Sequence, residues 1–404
     1  MASSLSVLSG KGGSGKTTLA ISLTQLFALC GKNVLLVDCD MSTHGATYFF
    51  EDYFTDKESY LIFKDLLNDN IIINFNLKEN IIVDDKDNIK HFLRVNISNV
   101  AHFDFLPSCI SFKTDYDINS TYRKSNGITS KNIAILSKYY DVMIFDCQAG
   151  YSNVTNNILE YSNKNLMVLE PDAVSVIAVR VLYSQLSSKL DEKKTFQVFS
   201  KVIEEEHQLY KNIPPHATIF TNLDPISFNW SVRKAFAISI LPEIDEKNPE
   251  LTNEIFNLAV ILFPEYKIDL QKYIINVKKV LIEQAKAQIT LSKKQRTKDT
   301  LKKILLIVAA SFFVVSLGCY ALFIYGPSPE TLKAVDDMIN YLTVGSIIFA
   351  IYFLFMVIIT YNSNRNRKHD YLSIYNMEQN LLKIENEVSN LEKTLLFDNK
   401  KNIQ

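Results

Sequence analysis

The sequence predicts an α/β domain with a mostly parallel sheet and helices on both faces, followed by a two-helix transmembrane hairpin and a C-terminal amphipathic helix. Three observations predict it. Short apolar runs alternate with helical patterns through the N-terminal part, the order that places a parallel sheet between helices. Two long uncharged runs follow, Ile304 to Tyr325 and Tyr341 to Tyr361. An apolar seam with steps of three and four closes the chain, as a helix packed along one face requires.

Taken in order, Leu5 to Ser9 reads as a buried strand, and a glycine cluster follows it. Leu19, Leu23, Leu26, Phe27 and Cys30 then form a helical face within Lys16 to Cys30, and Gly31 is a helix stop. Val34 to Val37 is a second strand. Further strands are expected at Phe103 to Leu106, Val142 to Phe145, Leu166 to Leu169, Thr218 to Phe220 and Ile238 to Leu241. Residues 173 to 213 hold no proline or glycine and read as one or two long helices. Residues 265 to 300 also read as helical, with ten basic residues between Lys272 and Lys303 against Glu283 and Asp299. That excess fits a solvated or juxtamembrane face, where anionic lipid headgroups are the corresponding contact.

Each uncharged run is long enough, at ~1.5 Å per residue, to cross a hydrocarbon core about 30 Å thick. Lysines and arginines set the orientation. Lys293, Lys294, Arg296, Lys298, Lys302 and Lys303 precede the first run, and Arg365, Arg367 and Lys368 follow the second. The loop from Gly326 to Asn340 has Lys333 alone against three acidic residues. Both termini are therefore expected in the cytoplasm. In the tail, Ile374, Met377, Leu381, Ile384, Val388, Leu391 and Leu395 form the seam of a coiled coil or of an amphipathic helix packed on residues 265 to 300. The expected divisions are a nucleotide domain over 1–260, a basic stalk over 261–303, spans at 304–325 and 341–361 around the loop 326–340, and a tail over 362–404.

Composition narrows the function. A net charge of -1 argues against a mainly nucleic-acid-binding protein. The five cysteines include no C-x-x-C pair and the six histidines no H-x-x-x-H, so a disulfide framework or zinc ribbon is not expected. Only 11 glycines occur in 404 residues, and four lie between Gly10 and Gly15. Gly10-Lys11-Gly12-Gly13-Ser14-Gly15-Lys16-Thr17 matches G-x-x-x-x-G-K-[ST], with a strand before it and a helix after it. In such a loop backbone N–H groups wrap phosphates, Lys16 reaches the terminal phosphates, and Thr17 offers a hydroxyl to Mg²⁺.

The second lysine in Lys11-Gly12-Gly13-Ser14-Gly15-Lys16-Thr17-Thr18 resembles the signature of the MinD/ParA family of deviant Walker A ATPases. The resemblance implies that Lys11 reaches across an ATP-bound dimer to the partner's phosphates. It implies nucleotide contacts along Gly12, Gly13, Ser14, Gly15, Lys16, Thr17 and Thr18. Val37-Asp38-Cys39-Asp40 resembles the first switch, where Asp40 is tied to water positioning and hydrolysis; Met41-Ser42 stand where the family usually has Pro-Gln. Tyr140 to Asp146 resembles the Walker B strand, giving Asp146 and Thr17 to Mg²⁺. Cys147-Gln148-Ala149-Gly150 resembles the second switch, with Gln148 in place of proline. Phe220 to Pro225 and Leu241 to Asp245 resemble the adenine-side strand and loop, giving Asn222 and Pro242 to the base.

The function so implied is a Mg²⁺-dependent ATPase switch on a bacterial cytoplasmic membrane. Its expected partners are a second copy or higher homo-oligomer, membrane lipid and a further protein. Two alternatives stand beside it. A tyrosine kinase of the bacterial capsule-regulating type shares the fold, but commonly places its spans before the P-loop and lacks the Lys-Gly-Gly start. A membrane scaffold that binds nucleotide without turnover would account for Met41-Ser42 and Gln148.

Overall fold

The computed structural model describes residues 2–55, 59–67, 72–84, 87, 89–109, 126–212, 218–325 and 372–399. The described residues fall into two compact units. One runs to Val277 and takes in the chain from Leu395; the other runs from Lys278 to Thr394.

The first unit is built on strands β1 (Ser3–Leu8), β2 (Val34–Asp38), β3 (Ile72–Asn76), β4 (Ile81–Asp84), β5 (Ile89–His91), β6 (Leu93–Asn96), β7 (His102–Leu106), β8 (Val142–Asp146), β9 (Lys164–Leu169), β10 (Thr195–Phe199) and β11 (Thr221–Asn222). Eight form one sheet in the order β11-β10-β9-β1-β8-β2-β7-β6. Every neighbouring pair is parallel except β6 with β7. β3, β4 and β5 form a separate antiparallel sheet. The apolar runs of β2 and β8 are buried at all five positions, as strands covered by helices on both faces are.

Helix α1 (Lys16–Leu29) is buried on nearly all sides from Leu19 to Ala28. Of the expected face, Leu19, Leu23, Leu26 and Phe27 are buried and Cys30 is half-buried; Ala20 and Ile21 are buried as well. The second cover comes from the helix Pro249–Leu262 and the turn after it. The Phe27 ring meets Phe263 edge-on at 4.7 Å between centroids, and Tyr266 at 5.8 Å.

Three expected elements differ. Residues 173 to 213 are not one or two long helices: a helix spans Ala173–Leu186, β10 follows, and a short helix spans His207–Lys211. Thr-Phe-Gln-Val-Phe has the β-branched and aromatic content of a strand, and its burial in the sheet overrides the absence of breakers around it. The strand expected at Thr218 to Phe220 is displaced to Thr221–Asn222. Ile238 to Leu241 is no strand but the turn after the helix Trp230–Ala237. Asn229 starts that helix by accepting N–H bonds from Ser231 and Val232, and the helix ends before the apolar run can enter the sheet.

In the second unit the stalk helix, the part of Lys267–Tyr325 from Lys278 onward, lies antiparallel to a tail helix up to Thr394. Ion pairs set the direction: Lys279 with Glu392 at 2.8 Å, Lys286 with Glu385 at 2.8 Å, and Lys293 with Glu378 at 2.7 Å. The tail number falls as the stalk number rises. Every residue of the expected seam from Ile374 to Leu391 is buried or half-buried, with Ile374 and Val388 deepest. Of the two readings of that seam, the packed helix is the one formed within the chain.

The first expected span, Ile304 to Tyr325, forms the end of the stalk helix. The loop 326–340 and the second span 341–361 lie outside the described residues. Among the described residues, no helix is long and apolar enough to cross a membrane.

Candidate nucleotide site

β1 lies between β8 and β9, so the chain leaves it at the point where the strand order turns outward in both directions. Ligands bind parallel sheets at such a point, outside the carboxyl ends of the strands. The glycine loop emerges there. Gly10 packs directly on the helix Ala173–Leu186: a Cβ at Gly10 would stand 2.4 Å from the Ala178 carbonyl carbon. Gly15 opens α1 with φ 86°, a left-handed conformation natural to glycine.

Lys16 is buried, and its Nζ stands 3.2 Å from Asp146 Oδ1. Thr17 Oγ1 donates to Asp146 Oδ2 at 2.7 Å. Burial lowers the proton affinity of Lys16, but the charges of Asp146 and Asp40 outweigh it and hold the pKa above its ordinary value. The three residues expected to handle terminal phosphate and Mg²⁺ are thus brought together. Ser14 Oγ is buried on the same loop without a hydrogen-bond partner among the described residues, a donor suited to a phosphate oxygen.

Asp40 is 4% exposed and stays with its own turn. Oδ1 accepts from Ser42 N, Ser42 Oγ and Thr43 N, and Oδ2 from Thr43 Oγ1 at 2.6 Å. Burial raises its pKa, yet these donors and Lys16 bring it below the usual value. Ser42, one of the three residues that depart from the family pattern, supplies two of those donors. Asp38 holds the same segment from beneath, through Thr47 N, Thr47 Oγ1, Ser108 Oγ and Asp40 N.

Lys11 points elsewhere. Its Nζ is 2.7 Å from Glu170 Oε2 and 2.8 Å from Asp172 Oδ2. Asp172 also caps the helix Ala173–Leu186 by accepting from Ser175 N at 2.7 Å. Lys11 and then Ser175 hold the Asp172 carboxyl down at about 2, and Asp172 with Glu170 raises Lys11.

Two cavities adjoin the loop. One, of about 440 Å³, is lined by Gly13 to Thr18 with Gly45, Tyr48, Lys201 and Phe236. The other, of about 520 Å³, shares Gly15, Thr18, Lys201 and Phe236 and adds Ser200, Ile226, Phe228, Asn229 and Arg233. Asn222 and Pro242, expected at the base, line neither. Asn222 sits in the edge strand, bonding Tyr210 O and Gln197; Pro242 O accepts from Gln25 of α1.

Residues 2–198 match the family model of an AAA domain. That span runs from β1 into β10 and takes in the glycine loop, both switches and Asp146. No curated protein matches the chain. The chain resembles the septum site-determining protein MinD of Pyrococcus horikoshii complexed with Mg-ADP at 18% identity, over 67% of this chain and 99% of that one, with a TM-score of 0.46. It resembles a chain of the MinC:MinD cell division protein complex of Aquifex aeolicus at 19%, over 65% and 96%, TM-score 0.46. A ParA family ATPase of Chlorobium tepidum matches at 16%, over 64% and 99%, TM-score 0.46.

Sequence reasoning missed Glu170, Lys201 and the Phe228 to Arg233 wall. Lys201 follows β10 with φ 61°, and Ser239 and His44 near the same cavity also have positive φ. Such backbone outliers cluster at functional sites because the surroundings over-determine them. No pattern in the local sequence marks them.

Proposed function

We propose that the chain is an ATPase switch: two ATP-bound heads dimerise, and hydrolysis releases them. One observation carries the reading. Of the two lysines of the loop, Lys16 lines the phosphate cavity and Lys11 does not; Lys11 is held on Glu170 and Asp172, beyond its own loop. A cation kept out of its own site is placed to serve a neighbour's.

Thr17 and Asp146 would hold magnesium, which neutralises charge developing on the transferred phosphate. Lys16 and the loop backbone bind and orient the phosphates. The larger cavity takes the base, with Phe228 and Phe236 as apolar walls and Asn229 and Arg233 as polar ones. Asp40 keeps the first switch folded and carries the charge needed to orient water.

The same proposal fixes the head to a membrane through Ile304 to Tyr325 and Tyr341 to Tyr361, on the strength of their length and flanking charges. The antiparallel course of stalk and tail supports it, since a two-span hairpin returns the chain alongside itself. A partner protein on the cytoplasmic side would receive the switch.

The test is turnover of Lys11→Ala beside wild type. A cation supplied in trans is worth about 10³–10⁵ in rate, so the variant should bind ATP yet lose nearly all hydrolysis. Unchanged turnover would sink the trans-lysine mechanism. One observation favours a second reading, nucleotide binding without turnover: both Asp40 oxygens are already occupied by Ser42 and Thr43. ATP binding by wild type with no phosphate release would select it.

A further inference from the structure

Lys201 stands at the end of β10 with φ 61°, a conformation that costs a long side chain free energy and that asparagine tolerates far better. What holds it is the glycine loop. Lys201 Nζ donates to the Gly13 carbonyl and lies 2.6 Å from Glu170 Oε1. Its side chain lines both cavities, one shared with Lys16 and the other with Phe228 and Arg233. Glu170 spends its other oxygen on Lys11 at 2.7 Å, so one carboxylate holds both ammonium groups, of which only Lys201 lines the cavity. Burial alone would raise the Glu170 pKa, but the two lysines bring it below its usual value, which keeps the carboxylate ionised and both lysines anchored.

We infer that Lys201 is a third phosphate-binding lysine, supplied within the same chain from β10 and positioned by Glu170. An ammonium has three donors. The Gly13 carbonyl and Glu170 take two, and the third is left for a phosphate oxygen of the nucleoside polyphosphate in the cavity it lines. Glu170 is a positioning residue: it keeps Lys201 against the loop. This inference rests on the nucleotide reading above and deepens it, because it assigns a binding residue outside the P-loop.

The test is equilibrium binding of ATP and ADP to the full chain. Lys201→Asn suits the left-handed backbone and removes only the cation, so the fold should persist. It should weaken both nucleotides about tenfold, equivalent to ~1.4 kcal/mol, and Lys201→Arg should recover most of that loss. Glu170→Gln removes the anion that positions Lys201 and should weaken ATP in the wild-type background but not further in Lys201→Asn. Lys16→Ala is the reference. If Lys16→Ala loses binding and Lys201→Asn does not, the role of Lys201 is overturned while the nucleotide site stands. If neither changes binding, the nucleotide reading itself falls.

Discussion

Asp38 and Asp146 are register partners on adjacent parallel strands, and neither has any exposed surface. Two carboxylates side by side in a dry sheet need cations or protons. Asp146 has Lys16 and Thr17. Among the described residues, Asp38 has only neutral donors: Thr47, Ser108 and the Asp40 N–H. Burial first, and the Asp146 charge second, push the Asp38 carboxyl up to about 7.

That shift gives a pH dependence with a definite sign. The folded protein binds the Asp38 proton more tightly than the unfolded chain, whose value lies near 3.8. The resulting stability is fully present below 3.8 and is lost as pH rises toward about 7. In calorimetry of the nucleotide-free protein, Tm should fall between pH 5.5 and 7.5, and Asp38→Asn should flatten that slope. Asn would keep its oxygen toward Thr47 and Ser108 and leave the buried Asp40 N–H facing an amide donor, at a cost of about 1–3 kcal/mol. An equal slope in both proteins would remove Asp38 as its source.

Gly10 and Gly12 make a matched pair of tests. A Cβ on Gly10 would meet the backbone of Ala178 and Val179 at 2.4 to 2.7 Å, whereas one on Gly12 meets nothing within 4 Å. Gly10→Ala must push the loop off the helix Ala173–Leu186, and overpacking of this kind costs about 1–3 kcal/mol. Its Tm and its ATP affinity should drop together. Gly12→Ala should keep the wild-type Tm, which thermal melts on the two variants can check.

Asp172 serves both the helix and Lys11, and two substitutions separate these roles. Asp172→Ala removes the cap acceptor for Ser175 N and should destabilise the protein by ~1 kcal/mol. Asp172→Asn keeps an acceptor and should cost only a fraction of that, while removing the charge 2.8 Å from Lys11. Both variants should show the same change in ATP turnover, because Lys11 loses the same anion in each. Denaturant melts and phosphate-release assays give the two readouts.

The parts of the site legible in sequence are those whose chemistry is local. Gly10 to Thr17 carries its own glycines, lysine and hydroxyl, and Asp146 ends an unbroken apolar strand. Glu170 and Lys201 were not legible, because only the parallel register of β9 and β10 with β1 brings them to the loop. β10 itself was hidden: the turn before it, Asp191 to Lys194, is made of charged residues common on helices, with the Asp191 carboxylate accepting from Lys193 N. The tail seam was legible as a face, but heptad spacing does not say what covers it. The stalk lysines answer that, through pairs that exist only once the chain has turned back.

Those pairs and the seam beneath them contribute unequally, which makes the tail's attachment testable. The ion pairs of Lys279, Lys286 and Lys293 are about half exposed, and exposed pairs are worth roughly 0.2–1 kcal/mol each. They select the antiparallel direction more than they hold the helix down. Val388, 6% exposed, and Ile374, 9% exposed, are the seam's deepest residues, and burying one such side chain contributes about 1.5–3 kcal/mol. Val388→Asp buries a charge with no cation assigned to it and should detach the tail, whereas Glu385→Gln should leave it docked. Hydrogen exchange over residues 372–399 reads the difference: fast exchange in Val388→Asp and wild-type protection in Glu385→Gln. Rapid exchange in Glu385→Gln as well would mean that the ion pairs, rather than the apolar seam, hold the tail to the stalk.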